Sequence, residues 1–173
     1  VAARPGKGKS SFGLQTAMHV SQTGVPVAFF SCEMSRKQLT RRLIAHASNI
    51  ELTRLYRGPL RDTDHARFVS AAALVADLPI RIEDTTGDWN KIAALAEQHV
   101  ATGCGLIVID YLQLLFVPGA DNEYATLSII TRSAKLLAKR LGVPLLMLSQ
   151  LNRESEKRQD KRPILHDLRG SGT

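Results

Sequence analysis

The chain has 173 residues, 44% of them hydrophobic and 23% charged, as expected of one ordinary globular domain with enough chain for a sizeable core. No apolar run approaches the roughly 20 residues that cross a bilayer as a helix. The net charge of +7 suits an anionic partner, and from Met34 to Phe68 eight Arg/Lys face three acids; with aromatics at 5%, charge alone does not define a nucleic-acid binder.

In chain order, Ala3–Ser10 reads A-R-P-G-K-G-K-S. It fits the phosphate-binding pattern GxxxxGK[ST] at every defined place except the first, where Ala3 replaces Gly. Gly6 and Gly8 allow the tight turn that brings backbone N–H groups against phosphate oxygens. Lys9 supplies a point charge for the β- and γ-phosphates, and Ser10 a hydroxyl for Mg²⁺. A helix expected from Ser11 to Gln22 aims its positive end at the same anion. The nucleotide-binding segment is therefore read as Ala3, Arg4, Pro5, Gly6, Lys7, Gly8, Lys9, Ser10 and Ser11.

Pro26–Glu33 is a short apolar run and reads as a buried strand. A helix is expected over Ser35–Ser48, with Ser35 as N-cap and Gln38 completing a capping box. Ile50–Tyr56 and Asp62–Ala76 read as helices separated by Gly58-Pro59. Pro79–Glu83 is a second strand. Trp89, Ile92, Ala93, Ala96 and Val100 fall on one helical face, capped near Thr86 or Asp88 and stopped by Gly103. Leu106–Leu115 reads as a third strand and Val117–Tyr124 as a loop. Leu127, Ile130, Ala134, Leu137, Ala138 and Leu141 make a long amphipathic helix, and Val143–Ser149 a fourth strand. Strands apolar on both faces, alternating with helices, imply a mostly parallel sheet with helices on both faces.

Ligands of open α/β sheets bind at the carboxyl ends of the strands. Asp110 closes LIVID and is the expected metal-binding acid. Glu33 closes VAFFSCE and is the candidate base for an attacking water. Gln150 closes VPLLMLSQ, where its amide can sense a γ-phosphate. A phosphate loop, a metal acid, a base and a sensor on separate strand ends define phosphoryl transfer from a nucleoside triphosphate to water. The expected cofactors are a nucleoside triphosphate and Mg²⁺. The five histidines form no cluster, and Cys32 and Cys104 are expected to be reduced thiols. The chain opens on the phosphate loop without a signal peptide, so a cytoplasmic location is expected.

Phe29–Ser35 (FFSCEMS), Ile107–Leu114 (IVIDYLQL), Thr131–Leu141, Ser149–Arg153 (SQLNR) and Asp160–Gly172 (DKRPILHDLRGSG) follow Ala2–Ser10 in order. Together they resemble the ATPase domain of DnaB-type replicative DNA helicases along nearly the whole chain. The resemblance implies a RecA-like P-loop NTPase core as one domain over residues 1–173. It implies a homohexameric ring around single-stranded DNA, with ATP between subunits, and primase and a helicase loader as further partners. Carried over by motif position, Lys9 and Ser10 are phosphate and Mg²⁺ ligands, Glu33 the base, Asp110 the metal acid and Gln150 the sensor. The loop after Leu115 and the Asp167–Gly172 segment would face the central channel, with Arg169 and Gly172 near the DNA backbone.

Gly170 stands where the family usually has Glu, and Lys7 where it often has Met. Lys7 is expected to tighten nucleotide binding. Only Val1–Ala3 precedes the loop, and the chain stops inside the second DNA-facing segment. It is therefore expected to be a piece of a longer helicase, truncated at both ends, without most of its first strand, its arginine-finger segment or an amino-terminal collar domain. Two other readings remain open: a recombinase-like or repair ATPase of the same fold, and a non-catalytic module that grips DNA or a partner.

Overall fold

The computed structural model describes residues 1–151. Its elements, in order, are β1 (Ala2–Ala3), α1 (Lys9–Gln22), β2 (Val27–Ser31), α2 (Arg36–Ser48), α3 (Leu52–Arg57), α4 (Asp62–Asp77), β3 (Ile80–Glu83), α5 (Trp89–Ala101), β4 (Leu106–Asp110), a 3₁₀ turn (Leu112–Leu114), α6 (Glu123–Leu141), β5 (Leu145–Met147) and β6 (Ser149–Gln150). Four strands run in the order β3-β2-β4-β5, all parallel. β6 follows β5 after the single buried residue Leu148 and pairs in parallel with β1. The phosphate loop thus leaves the strand beside the one that ends in Gln150.

The period-2 alternation of the strands sorts their side chains into two cores. Ala28, Phe30, Ile107 and Ile109 point to one face, against Trp89, Ile92 and Ala96 of α5 and Ile130, Ala134 and Leu137 of α6. Val27, Phe29, Leu106 and Val108 point to the other, against Leu14, Ala17 and Met18 of α1 and Leu39 and Leu43 of α2. β2 and β4 are buried at every residue, which is why they read as continuous apolar runs. Each Phe of the β2 pair is worth about 1.5–3 kcal/mol by burial.

Local signals set the helix ends. Ser35 accepts from Gln38 N–H while the Gln38 side chain caps the Ser35 backbone, the expected capping box. Asp88 accepts from Asn90 N–H and starts α5. Gly142, at φ 67°, ends α6 in the left-handed conformation. Gly13 matters for height. A Cβ there would lie 2.7 Å from Leu148 Cδ1, so only glycine lets α1 settle this close to the sheet.

Three expectations need correction. α1 starts at Lys9 rather than Ser11, because Gly8 at φ 80° ends the loop and serves as N-cap. β2 stops at Ser31 rather than Glu33: the Ser31 hydroxyl donates to Met34 C=O (2.7 Å) and accepts from Met34 N–H (3.2 Å), turning the chain early. β4 stops at Asp110 rather than Leu115, and Leu112–Leu114 form a 3₁₀ turn. Among the described residues no helix is long and apolar enough to cross a membrane, and no group of three His, Cys, Asp or Glu could hold a metal.

Candidate nucleotide site

The site lies where α1 begins and β4 ends. The first N–H groups of a helix lack intrahelical partners, and among the described residues no side chain caps α1. Gly6 (φ 72°) and Gly8 (φ 80°) adopt backbone conformations that L side chains rarely take, and a Cβ at either would meet nothing. The loop is therefore an open cradle of backbone donors, suited to an anion.

Lys9 is the first residue of α1 and, unusually for a lysine, only 9% exposed. Its Nζ lies 3.8 Å from Asp110 Oδ1 and 3.2 Å from the centroid of the Tyr111 ring. The first distance is an ion pair too long for a direct hydrogen bond; the second is a cation–π contact. Burial lowers the Lys9 pKa, while the charges of Asp110 and Glu33 oppose that shift.

Asp110 is 0% exposed, and neither of its carboxylate oxygens has a hydrogen-bond partner among the described residues. A buried carboxylate normally finds several donors. Two orphaned oxygens beside a phosphate cradle fit a group that brings its own donors, such as the water shell of a bound divalent cation. The half-buried Ser10, next along α1, provides the hydroxyl such an ion takes from this loop. The donor set is all oxygen, as Mg²⁺ prefers.

Glu33 is exposed, two residues past β2, on the turn that Ser31 fastens. Its charge reaches both Lys9 and Tyr111, placing it at the same end of the sheet. The Tyr111 pKa is raised, first by burial and then by the charges of Glu33 and Asp110. Beside Glu33, the Cys32 thiol is pushed up to about 11, by burial first and Asp110 second. Both cysteines are free thiols, as expected.

Gln150 lies in β6, with its partner Ala3 of β1 on one side. On the other side stands Gln113, which the sequence pattern did not single out. Its Nε2 donates to Ser149 Oγ (2.8 Å) and to Gln150 C=O (2.9 Å), and its Oε1 accepts from Gln150 N–H (2.9 Å). Tyr111 was missed as well. Each lies within three residues of Asp110, and that adjacency was the available signal. The structure therefore gathers Lys9, Ser10, Glu33 and Asp110 at one end of the sheet, with Gln150 on the strand beside the loop. Arg169 and Gly172, expected near DNA, lie outside the described residues.

A parallel sheet between two helical layers, with a glycine-rich loop, a buried lysine and a strand-end aspartate, defines a RecA-like P-loop nucleotide-binding domain. Residues 1–173 match the family of the DnaB-like helicase C terminal domain, and the chain belongs to it. It is 44% identical over 177 residues to the replicative DNA helicase DnaB of Nostoc sp., covering 99% of this chain and 20% of that protein. It is 41% identical over 180 residues to DnaB of Geobacillus stearothermophilus, covering all of this chain and 39% of that protein. The chain thus spans well under half the length of these relatives. Among solved structures it resembles an ATPase domain with TM-score 0.91, 35% identity and coverage of 97% of this chain and 62% of that one. It also resembles a DnaB-like replicative helicase whose structure addresses its interactions with primase, with TM-score 0.90, 36% identity and coverage of 99% and 44%.

Proposed function

We propose that this chain is the ATP-hydrolysing motor domain of a replicative DNA helicase. It would work in a homohexameric ring that moves along single-stranded DNA and unwinds duplex. The observation that carries the reading is Asp110: a fully buried carboxylate with both oxygens unpartnered among the described residues, beside the phosphate-loop lysine. Family membership and the likeness to DnaB helicases support the assignment to replication. By the same likeness, primase and a helicase loader are proposed partners, and the cytoplasm the proposed location.

Each residue then has one task. The loop N–H groups and Lys9 would neutralise the β- and γ-phosphates of ATP. Ser10 and Asp110 would hold Mg²⁺, Asp110 through the ion's waters. Magnesium supplies charge neutralisation on the phosphates and fixes their geometry. Glu33 would take a proton from the water that attacks the γ-phosphorus, as the bond to the β-γ bridging oxygen breaks and ADP leaves. Gln150 would donate to a γ-phosphate oxygen and register its loss.

The test is ATP turnover by the full-length protein, with and without single-stranded DNA. Stimulation by DNA, lost in Asp110→Asn by about 10²–10³-fold, is the expected result. Tight DNA binding without ATP turnover would overturn the motor and favour a non-catalytic binding module.

A further inference from the structure

We infer that Gln113 is a positioning residue for Gln150, and that its carboxamide stands in for a missing strand residue beside the sensor. The inference rests on the reading of Gln150 as the γ-phosphate sensor. β4 ends at Asp110, while the chain beside it runs on from β5 through Leu148 into β6, which ends at Gln150. The main chain supplies two more links: Leu148 N–H donates to Ile109 C=O (2.9 Å), and Leu112 N–H donates to Leu148 C=O (2.8 Å). At Gln150 it supplies none on this side among the described residues. There the Gln113 carboxamide accepts from Gln150 N–H and donates to Gln150 C=O, as a neighbouring peptide group would. The same amide nitrogen also reaches Ser149 Oγ.

The other edge of this segment is held by the strand that carries the phosphate loop. Ser149 N–H donates to Val1 C=O (2.8 Å), and Leu151 N–H to Ala3 C=O (3.1 Å). Among the described residues, Gln150 is thus fixed from one side by the phosphate-loop strand and from the other by the Gln113 side chain. Strand alternation sends the Gln150 side chain away from the face that Ser149 takes. Gln113 sits in the 3₁₀ turn whose continuation is itself fastened: Phe116 N–H donates to Gly87 C=O (3.0 Å), and Trp89 N–H to Phe116 C=O (3.0 Å). A shift of Gln150 on loss of the γ-phosphate would pull on this turn through Gln113, in addition to the main-chain link from Leu112 N–H to Leu148 C=O.

A carboxylate at 113 keeps the size and the acceptor but loses both donated bonds, and sets a negative charge against Gln150 C=O. In the full-length protein, Gln113→Glu is expected to lower kcat by about 10²-fold, the scale of a misplaced reacting group. It should weaken binding of a non-hydrolysable ATP analogue while leaving Mg·ADP affinity within about twofold, because ADP offers no γ-phosphate to a sensor. Combined with Gln150→Ala, it should add almost nothing to the effect of Gln150→Ala alone. If Gln113→Glu does not fold, Gln113→Asn, which keeps the carboxamide but shortens its reach, is read the same way. ADP and analogue affinity falling together would mean a structural role only and would overturn the inference. A silent Gln113 variant beside a damaging Gln150→Ala overturns the positioning role alone. A silent Gln150→Ala overturns the sensor reading, and the inference with it.

Discussion

The ends of β2 and β4 are neighbours in one sheet, yet their acids live in opposite surroundings. Asp110 is sealed from water, held at the last residue of its strand, with Lys9 beside it. Glu33 is exposed, on a turn two residues beyond its strand. The first is built for a fixed electrostatic task, because a buried charge has a strong field and nowhere to move. The second suits a group that must meet a water arriving with substrate. On the proposed roles, preorganisation falls to the buried Asp110, while the exposed Glu33 has room to meet an incoming water.

Changing the free acid should have the largest effect on turnover. Glu33→Gln is expected to lower kcat by about 10²–10⁴-fold while nucleotide affinity is retained, as measured by steady-state hydrolysis and equilibrium binding. A parallel loss of affinity would put Glu33 in binding rather than in proton transfer. At the sealed end the effect should appear as stability. Lys9→Met leaves the Asp110 carboxylate buried without its cation and should destabilise the nucleotide-free protein by about 3 kcal/mol in a denaturant titration. An unchanged midpoint would mean that the Lys9–Asp110 pair does not stabilise the nucleotide-free fold.

The turn that carries Glu33 offers a milder probe. Ser31→Ala removes the hydroxyl that both donates to and accepts from Met34. A cost of about 1 kcal/mol in stability is expected, together with a fall in kcat at unchanged ADP affinity. The smallest effect belongs to Cys32. Its pKa rises from 9.0 to about 11 on folding, so between those values the native chain holds a proton that the unfolded chain has lost. Stability should therefore decline as pH rises through that window, and Cys32→Ser should flatten the decline. Rapid alkylation of native Cys32 at about pH 8, below the free-thiol range, would contradict this burial.

Much of the fold was legible because hydrophobic periodicity reports burial directly. β2 and β4 are apolar throughout since both faces are covered, and α5 and α6 show their core stripes. The same signal overran the strand ends. LIVIDYLQLL stays apolar past Asp110, but hydropathy cannot register the main chain leaving the sheet at Tyr111. Nor could it register the Ser31–Met34 turn that cuts β2 short of Glu33. The start of α1 was placed late because Gly8 caps it through a backbone angle, without any side-chain signature. Lys9, Asp110 and Glu33 were expected together from pattern and strand position, and the fold brings them to one end of the sheet. Gln113 was not singled out, because its partners lie 36 and 37 residues onward and only the folded register brings them together.

The absent side chain at position 13 has a mechanical consequence. Because Gly13 meets Leu148 with nothing in between, the helix that carries Lys9 rests directly on the segment that carries Gln150. Leu148 is fully buried and joins β5 to β6, so its side chain has little room to turn aside. One missing methyl thus couples the packing of the helix that carries Lys9 to that of the segment that carries Gln150.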